Sequence, residues 1–179
     1  GLMHEHNAVR KTAGLFDISH MGVMRLEVQN TKDGLQTLVP TDLHRIGPGE
    51  ACYTVLLNDK GGILDDLIVY DLGIEENNSE TLLIVINAAC SSNDVKWLQK
   101  NLEPKGISIK DEKGNGVLLA LQGPDSQNIL ENLCDESLNT LPKFGHKHIR
   151  MQGLDPSDQP HPIFIARTGY TGEDGFEIL

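Results

Sequence analysis

The chain has 179 residues, a length that suits one domain or two small ones, and 39% of them are hydrophobic, which is ordinary for a soluble protein. With 26 acidic against 15 basic residues, a formal net charge of −11 and no cluster of Lys or Arg, the chain is not expected to bind nucleic acid. It has no apolar run of the roughly 18 residues that a membrane helix needs, no basic-then-apolar leader, and 3 widely spaced cysteines that suggest neither disulfides nor a structural metal site.

An early and a later part of the chain share one pattern of elements. A short helix over 4–12 is followed by an apolar strand at 23–28, and capping groups at 31–33 begin a second helix. Further on, a strand at 116–121 leads through a polar turn to a helix over 126–133. The repeat of strand, turn and helix predicts two halves of one α+β layer.

The stretch between these halves has strands of its own. Apolar runs predict strands at 52–57, 63–70 and 82–87. The sequence NDKGG at 58–62 is typical of a hairpin turn, so the first two strands are expected to be antiparallel.

We therefore expect an α+β fold of two small mixed domains with antiparallel sheets. The first domain comprises 1–48 and 115–179, and the second domain, 49–114, is inserted between its two strand–helix halves. Because the chain begins in a helical pattern and ends in a strand, we also expect it to be a fragment of a longer protein.

The last part of the chain ends in a hairpin with an unusual tip. Residues 144–162 are rich in proline and predict irregular structure, and strands at 163–167 and 176–179 form the hairpin. The tip, 168–175, reads TGYTGEDG. No Lys-Ser/Thr pair or helix follows it, so it is not a phosphate-binding loop, and it is either a surface turn or part of a site.

Two adjacent carboxylates, Asp65 and Asp66, interrupt the apolar strand GGILDDLIVY at 61–70. Side chains alternate between the faces of a strand, so Asp66 shares a face with Ile68 and Asp65 shares the other with Leu67. If both faces are covered, at least one carboxylate is partly buried and must be paired, hydrogen-bonded or protonated. Such a group is either a proton carrier or an acceptor for backbone donors at a bend.

Six segments of the chain form a recognisable series: GLFDISHMG at 14–22, Tyr53 with LLN at 56–58, GGILDDLIVY at 61–70, NAA at 87–89, LQGP at 121–124 and RTGYTGEDGFE at 167–177. Together they resemble one known family, the aminomethyltransferase (T-protein) of the glycine cleavage system, in its N-terminal part. They occur in the family's order and at compatible spacing, and the resemblance covers the whole chain.

The resemblance implies an enzyme of glycine catabolism and one-carbon metabolism. It would transfer a one-carbon unit from the aminomethyl group on the lipoyl arm of the H-protein to tetrahydrofolate, giving 5,10-methylenetetrahydrofolate and ammonia. Its partners would be H-protein and folate, with no metal and no membrane, in the cytoplasm of a bacterium or the mitochondrion of a eukaryote. The family's later half supplies further folate-binding Arg residues, so this chain alone is not expected to be active.

The resemblance also implies the site residues. The second Asp of the pair, Asp66, would be catalytic by handling a proton of the folate nitrogens, and Asp65 would be structural. Glu177 would accept two parallel hydrogen bonds from the edge of the pterin. The positions that match folate contacts are Tyr53, Tyr70, Asn87, Tyr170 and Glu177. For the two strand tyrosines a core role stays open, because aromatic residues in strands are more often core than site.

Three other functions remain as alternatives. The first is the folate domain of a sarcosine or dimethylglycine dehydrogenase. The segment SHMG at 19–22 favours the T-protein over this alternative. The second is a folate-binding regulatory protein of iron–sulfur assembly, whose Cys-containing motif is missing from 168–177. The third is a non-catalytic interaction module, which would leave Asp66 without a role.

Overall fold

The computed structural model describes residues 1–75, 78–134, 136–151 and 161–179. Contacts divide the chain into two compact units, the first unit (Gly1–Ser19 with Val117–Leu179) and the second unit (His20–Gly116). No helix among the described residues is long and apolar enough to cross a bilayer. The α-helices are α1 Leu2–Lys11, α2 Thr31–Gln36, α3 Ser91–Leu102 and α4 Ser126–Glu131. The strands are β1 Gly14–Asp17, β2 Gly22–Val28, β3 Ala51–Leu57, β4 Ile63–Ile74, β5 Glu80–Ile86, β6 Ser108–Asp111, β7 Leu119–Gln122, β8 His146–Met151, β9 His161–Ala166 and β10 Gly175–Ile178.

The first unit is built on an antiparallel sheet with the strand order β1-β7-β10-β9-β8. In β10, Glu177 lies opposite Ala120 of β7 and Ala166 of β9. Buried apolar side chains of the sheet, of α4 and of the segment after it form the core: Leu121, Leu130, Cys134, Leu138, Leu141, Ile149, Ile165 and Phe176. The sheet therefore fixes both ends of the loop at 167–174 that joins β9 to β10.

The second unit is built on another antiparallel sheet, with the strand order β3-β4-β5-β2-β6. One face of this sheet packs against α2 and α3, because Leu67 and Val69 of β4 share a buried cluster with Leu35 of α2 and Leu98 of α3. Alternation along β4 places Asp65 on this same face. The chain thus brings the beginning of α3 to the strand that carries the paired carboxylates.

The predicted class, α+β with antiparallel sheets, is confirmed. The two predicted strand–helix halves, however, lie in different sheets, since β2 pairs with β5 and β6 whereas β7 pairs with β1 and β10. Met24 and Leu26 of β2 are buried in the cluster of the second unit. A pattern of strand, turn and helix predicts elements but not which sheet each strand joins, because that choice depends on non-local packing.

The two compact units also begin and end at residues that differ from the predicted domain limits. Residues 20–48, which are predicted to lie in the first domain, belong to the second unit because β2 is a strand of its sheet and α2 packs on that sheet. The limits 1–48, 49–114 and 115–179, as folding domains, stay a prediction.

Part of the stretch predicted to be irregular, 144–162, is strand β8, which pairs with β9 at the edge of its sheet. The sequence of β8, HKHIRM, lacks apolar alternation, and its one aliphatic residue, Ile149, is 1% exposed. Backbone hydrogen bonds to a neighbour define this strand more than its own side chains do. Residues 152–160 lie outside the described residues.

Candidate functional site

The β3–β4 hairpin positions the paired carboxylates of the second unit. Its turn is held by Asn58, whose side-chain Oδ1 accepts hydrogen bonds of 2.9 Å from the backbone N–H groups of Lys60 and Gly62. The turn fixes the register of the two strands, in which Asp65 lies opposite Leu56 of β3. The side chain of Asp65 points to one face of the sheet. The next residue of β4, Asp66, then points to the opposite side.

Asn87, the residue after β5, contacts both carboxylates. Its backbone N–H donates to Asp65 Oδ2 at 3.0 Å, and its side-chain Nδ2 donates to Asp65 Oδ1 and to Asp66 Oδ1, each at 2.9 Å. Asp65 is the buried member of the pair, with 8% of its surface exposed, whereas Asp66 is half-buried. A single asparagine therefore sets the orientation of the carboxylates on both sides of the strand.

Asp65 is also hydrogen-bonded to Asp94 of α3. Burial acts to raise the pKa of Asp65, but hydrogen bonds from Asn87 and Asp94 together outweigh it and lower the pKa. For Asp94 the balance is reversed, since burial, the hydrogen bond to Asp65 and the negative charge of Asp65 raise its pKa to about 7. Asp65 is therefore the ionised member of this pair, and Asp94 carries the proton.

Tyr53 of β3 approaches Asp66 from the other neighbouring strand. Its side chain is 50% exposed, and its phenol is hydrogen-bonded to Asp66. Partial desolvation, the negative charge of Asp66 and this hydrogen bond raise the pKa of Tyr53, so that the phenol stays protonated and donates. The structure thus brings together three of the predicted site residues: Tyr53, Asp66 and Asn87.

Cys90, just before α3, adds a thiol to the same region. Its Sγ and one carboxylate oxygen each of Asp65 and Asp94 lie within 4.8 Å of one another. The negative charge of Asp65 is the largest cause that raises the pKa of the Cys90 thiol, so the thiol remains protonated. Because Asp94 and Cys90 are both protonated, the three side chains together carry one negative charge, which lies on Asp65.

Tyr70 lies further along β4, opposite Ala51 of β3 and Leu83 of β5. It is 1% exposed and one of the largest fully buried side chains. This burial is typical of a core aromatic residue. A role for Tyr70 in folate binding stays a prediction.

In the first unit, Glu177 is anchored beside the loop that carries Tyr170. Glu177 is 5% exposed, and its Oε2 accepts a hydrogen bond of 2.5 Å from the hydroxyl of Thr168. Tyr170, near the middle of the loop, is 61% exposed. The buried carboxylate has a fixed position, whereas the phenol ring is open to solvent.

Gln122, at the end of β7, holds this loop in place and was not among the predicted site residues. It is 1% exposed; its Nε2 donates to the carbonyl of Thr168 at 3.0 Å, and its Oε1 accepts from the hydroxyl of Thr171 at 2.9 Å. A two-pronged pair between Arg167 and Asp174, at 2.8 and 2.5 Å, joins the two ends of the loop. In the sequence Gln122 belongs to a polar turn and to the family segment LQGP at 121–124, but no role is evident for its side chain, because its partners lie more than forty residues away.

Replacing Gly169 with alanine is expected to lower the free energy of unfolding by about 1–3 kcal/mol, as overpacking against a buried side chain does. A Cβ at this position would lie 2.0 Å from Oε1 of the buried Gln122, so both hydrogen bonds of that amide must shift. Urea denaturation measures the change. Gly47→Ala is the control, because a Cβ there meets nothing closer than 3.8 Å; equal effects of the two substitutions would contradict the expectation.

Asp94 is the second residue that the sequence analysis missed, although the sequence does hold a signal. Asp94, Leu98 and Leu102 follow one another at intervals of four, and all three are buried on α3. An acidic residue on the apolar stripe of a helix indicates a buried carboxyl that needs a partner. The partner, Asp65, lies on another element and cannot be read from the helix alone.

The fold and the site together define a class: an α+β protein with two antiparallel sheets and a cluster of hydrogen-bonded carboxylates on a strand of the second sheet. The model of one family, the GCVT N-terminal domain, matches residues 1–179. The chain belongs to this family, and the resemblance drawn from its sequence motifs is confirmed.

The relatives of this chain include proteins named aminomethyltransferase from Prochlorococcus and Synechococcus strains. The one from Prochlorococcus marinus (strain MIT 9303) is 65% identical over 100% of this chain and 48% of its own length. The one from Synechococcus sp. (strain CC9902) is 60% identical with the same coverage. The chain therefore spans about half the length of the curated relatives that it matches.

Two solved structures have a similar fold. The glycine cleavage system aminomethyltransferase T from Bartonella henselae is 35% identical, with a TM-score of 0.81, and the match covers 99% of this chain and 44% of that one. Heterotetrameric sarcosine oxidase from Corynebacterium sp. U-96 is 16% identical, with a TM-score of 0.59, over 99% of this chain and 82% of that one. The second likeness is one of fold alone.

Proposed function

We propose that this chain acts in a tetrahydrofolate-dependent aminomethyltransferase of the glycine cleavage system. The observation that carries the proposal is the half-buried carboxylate of Asp66, which is hydrogen-bonded by Asn87 and Tyr53 in a chain 65% identical to a protein named aminomethyltransferase. The lipoyl-carrying H-protein is the proposed partner. Since the relatives are bacterial, the cytoplasm is the proposed compartment.

The proposed reaction requires a group that handles protons at the folate. As the methylene bridge forms, the two folate nitrogens each form a bond to carbon and each lose a proton, while the bonds from that carbon to the amine and to the lipoyl sulfur break. Ammonia and the lipoyl thiol take up one proton each. An ionised Asp66 accepts an N–H proton of the folate or orients that N–H group, and such catalysis contributes roughly a hundredfold to ten-thousandfold in rate.

The neighbours of Asp66 suit this role. The amide of Asn87 and the phenol of Tyr53 both donate hydrogen bonds to this carboxylate and fix its direction. In the first unit, Glu177 is the proposed partner of the pterin amino group and ring N–H, and Tyr170 is a proposed contact of the ligand. Tyr70 is retained as a proposed contact from the family motif alone.

Calorimetric titration with the stable 5-formyl derivative of tetrahydrofolate tests this proposal. The wild-type chain is expected to bind, and Asp66→Asn is expected to weaken binding by about tenfold, the value of one charge-assisted hydrogen bond. Asp59→Asn is the matched control, because Asp59 is exposed in the hairpin turn of the same strand pair. Equal affinities of wild type and Asp66→Asn would remove Asp66 from the site.

The longer Prochlorococcus marinus relative is titrated alongside. Binding by that protein alone would show that residues beyond the matched segment are required. A lack of binding by both proteins would contradict the folate proposal.

The alternatives predict different assay results. A folate domain of the sarcosine or dimethylglycine dehydrogenase type would bind folate without using aminomethylated H-protein, and the 16% identity to sarcosine oxidase supports only a common fold. A non-catalytic folate-binding protein would bind and transfer nothing. Methylene transfer from loaded H-protein therefore separates the proposed function from both.

A further inference from the structure

Asp94 is a buried carboxyl group that the proposed reaction does not use. It lies in the first turn of α3 and is 2% exposed. Its Oδ2 atom is fully buried and has no hydrogen-bond partner among the described residues. An ionised carboxylate with an unpaired buried oxygen beside a second carboxylate is very unfavourable, so burial favours the neutral form of Asp94.

The hydrogen bonds decide which of the two carboxyl groups holds the proton. Asp65 accepts two hydrogen bonds from Asn87, at 3.0 and 2.9 Å, and these stabilise its ionised form. No such donors reach Oδ2 of Asp94 within the described part of the chain. The proton therefore resides on Asp94, whose O–H donates to Asp65.

Asp65 is in turn connected to Asp66 through one side chain. The Nδ2 group of Asn87 donates to Asp65 Oδ1 and to Asp66 Oδ1 at the same distance, 2.9 Å. A continuous series of hydrogen bonds thus runs from α3 through Asp94, Asp65 and Asn87 to Asp66. Any rotation of Asp65 changes the position of the amide that orients Asp66.

We propose that Asp94 is a positioning residue: as a neutral acid it donates a hydrogen bond to Asp65, which fixes Asn87 and thereby the direction of the Asp66 carboxylate. The functional consequence rests on the proposed role of Asp66 in folate chemistry. The hydrogen-bond series itself does not depend on folate.

The charges around Asp94 give this arrangement a pH dependence. The titratable groups that face it are Asp65 on β4 and Cys90 before α3, and Asp66 lies beyond Asn87. The pKa of Asp94 is raised to about 7 by burial and by Asp65. Loss of its proton above that pH would place two anions side by side, push Asp65 away and release Asn87.

The effect of pH on stability follows from the same shift. The pKa of an aspartate in an unfolded chain is about 3.9, so between about pH 4 and pH 7 the folded state binds a proton that the unfolded state does not. The contribution of Asp94 to the free energy of unfolding therefore falls as the pH rises through this range and levels off above about pH 7.

Two substitutions distinguish a role of Asp94 as a neutral hydrogen-bond donor from a role in packing alone. Asp94→Asn keeps a neutral group of the same size that can donate, and Asp94→Leu keeps the branched shape, in a larger side chain, but removes the donor. The readout is nuclear magnetic resonance of the side-chain NH₂ group of Asn87, with ¹³C-labelled aspartate carboxyls followed against pH. The signal that is missing from the Asp94→Asn spectrum identifies Asp94.

The expected results concern the proton, the amide and the rate. The Asp94 carboxyl titrates near pH 7. The Asn87 signals are kept in Asp94→Asn and are shifted or broadened in Asp94→Leu. Between pH 5 and pH 8, the urea midpoint of Asp94→Asn rises relative to that of the wild type. In a protein with the full length of the relatives, methylene transfer falls roughly tenfold to a hundredfold in Asp94→Leu, as misplacement of a reacting group does, and is restored in Asp94→Asn.

Three results would overturn the proposal. The first is an Asp94 carboxyl that titrates near pH 4, and the second is an unchanged Asn87 spectrum in Asp94→Leu. The third is stoichiometric binding of Zn²⁺ or Mg²⁺ that Asp94→Asn abolishes. That result would mean that a bound cation, and not a proton on Asp94, neutralises the charge of the two carboxylates. If the spectra behave as expected but no form of the protein binds folate, the proposed function fails while the hydrogen-bond series stands.

Discussion

Asp66→Asn is expected to lower the rate of methylene transfer by roughly a hundredfold to ten-thousandfold, the range that general acid–base catalysis contributes. Asparagine is nearly the same size as aspartate, and its amide oxygen can still accept the hydrogen bond that Asn87 donates. It cannot accept a proton from the folate. The rate should therefore fall much more than the free energy of unfolding, which we expect to change by about 1 kcal/mol or less for a half-buried polar exchange.

The measurement is a single-turnover assay with aminomethylated H-protein and tetrahydrofolate, in a protein with the full length of the relatives. Asp59→Asn, in the exposed turn of the same hairpin, should leave the rate unchanged. If Asp66→Asn transfers methylene at the wild-type rate, the carboxylate is structural and the proposed role of Asp66 is wrong. A parallel loss of rate and of folding stability would also argue against a specific role in proton transfer.

Asp71→Ala is expected to lower the free energy of unfolding by about 3–5 kcal/mol, the cost of breaking one side of a buried ion pair. Asp71 is 1% exposed, and its Oδ2 lies 2.6 Å from the ammonium nitrogen of Lys32. Its Oδ1 accepts from the backbone N–H of Gly73, where the register of β4 and β5 shifts. Without this carboxylate, the ammonium group of the largely buried Lys32 keeps only the hydrogen bond to the carbonyl of Ile46 and a longer ion pair, of 4.0 Å, with Glu80 among the described residues.

Urea denaturation measures this loss, and an exposed ion pair provides the control. Glu136→Ala removes the partner of Lys147, a pair of 2.8 Å whose side chains are 48% and 30% exposed, and should cost about 0–1 kcal/mol. The double variant Lys32→Met with Asp71→Leu should recover much of the stability, because well-packed apolar residues can replace a buried ion pair. A small effect of Asp71→Ala would mean that water reaches Lys32 and compensates its charge.

Parts of the site could be predicted because their signals are local. The hairpin at 58–62 uses Asn and Gly residues whose turn chemistry is evident in the sequence, and the structure shows its two strands paired antiparallel. Two acidic residues in an apolar strand indicated a buried carboxylate that needs hydrogen bonds. Asp65 has them, from Asn87 and Asp94.

Other parts depend on contacts between residues far apart in the chain. Strand β8 could not be predicted because its polar sequence forms an edge strand through backbone pairing with β9. Gln122 holds a loop more than forty residues away, and nothing around Gln122 in the sequence indicates that it is buried.

The sequence by itself determined the α+β class, the order of most strands and helices, and the family, because each of these rests on local periodicity or on short motifs. The tertiary structure alone decided that β2 joins the sheet of the second unit, and that α3 brings Asp94 against Asp65. It also decided which of these carboxyl groups carries the proton. The physical reason is that the pKa of a carboxyl group depends on its burial and on the donors and charges around it, and folding brings these together from separate elements.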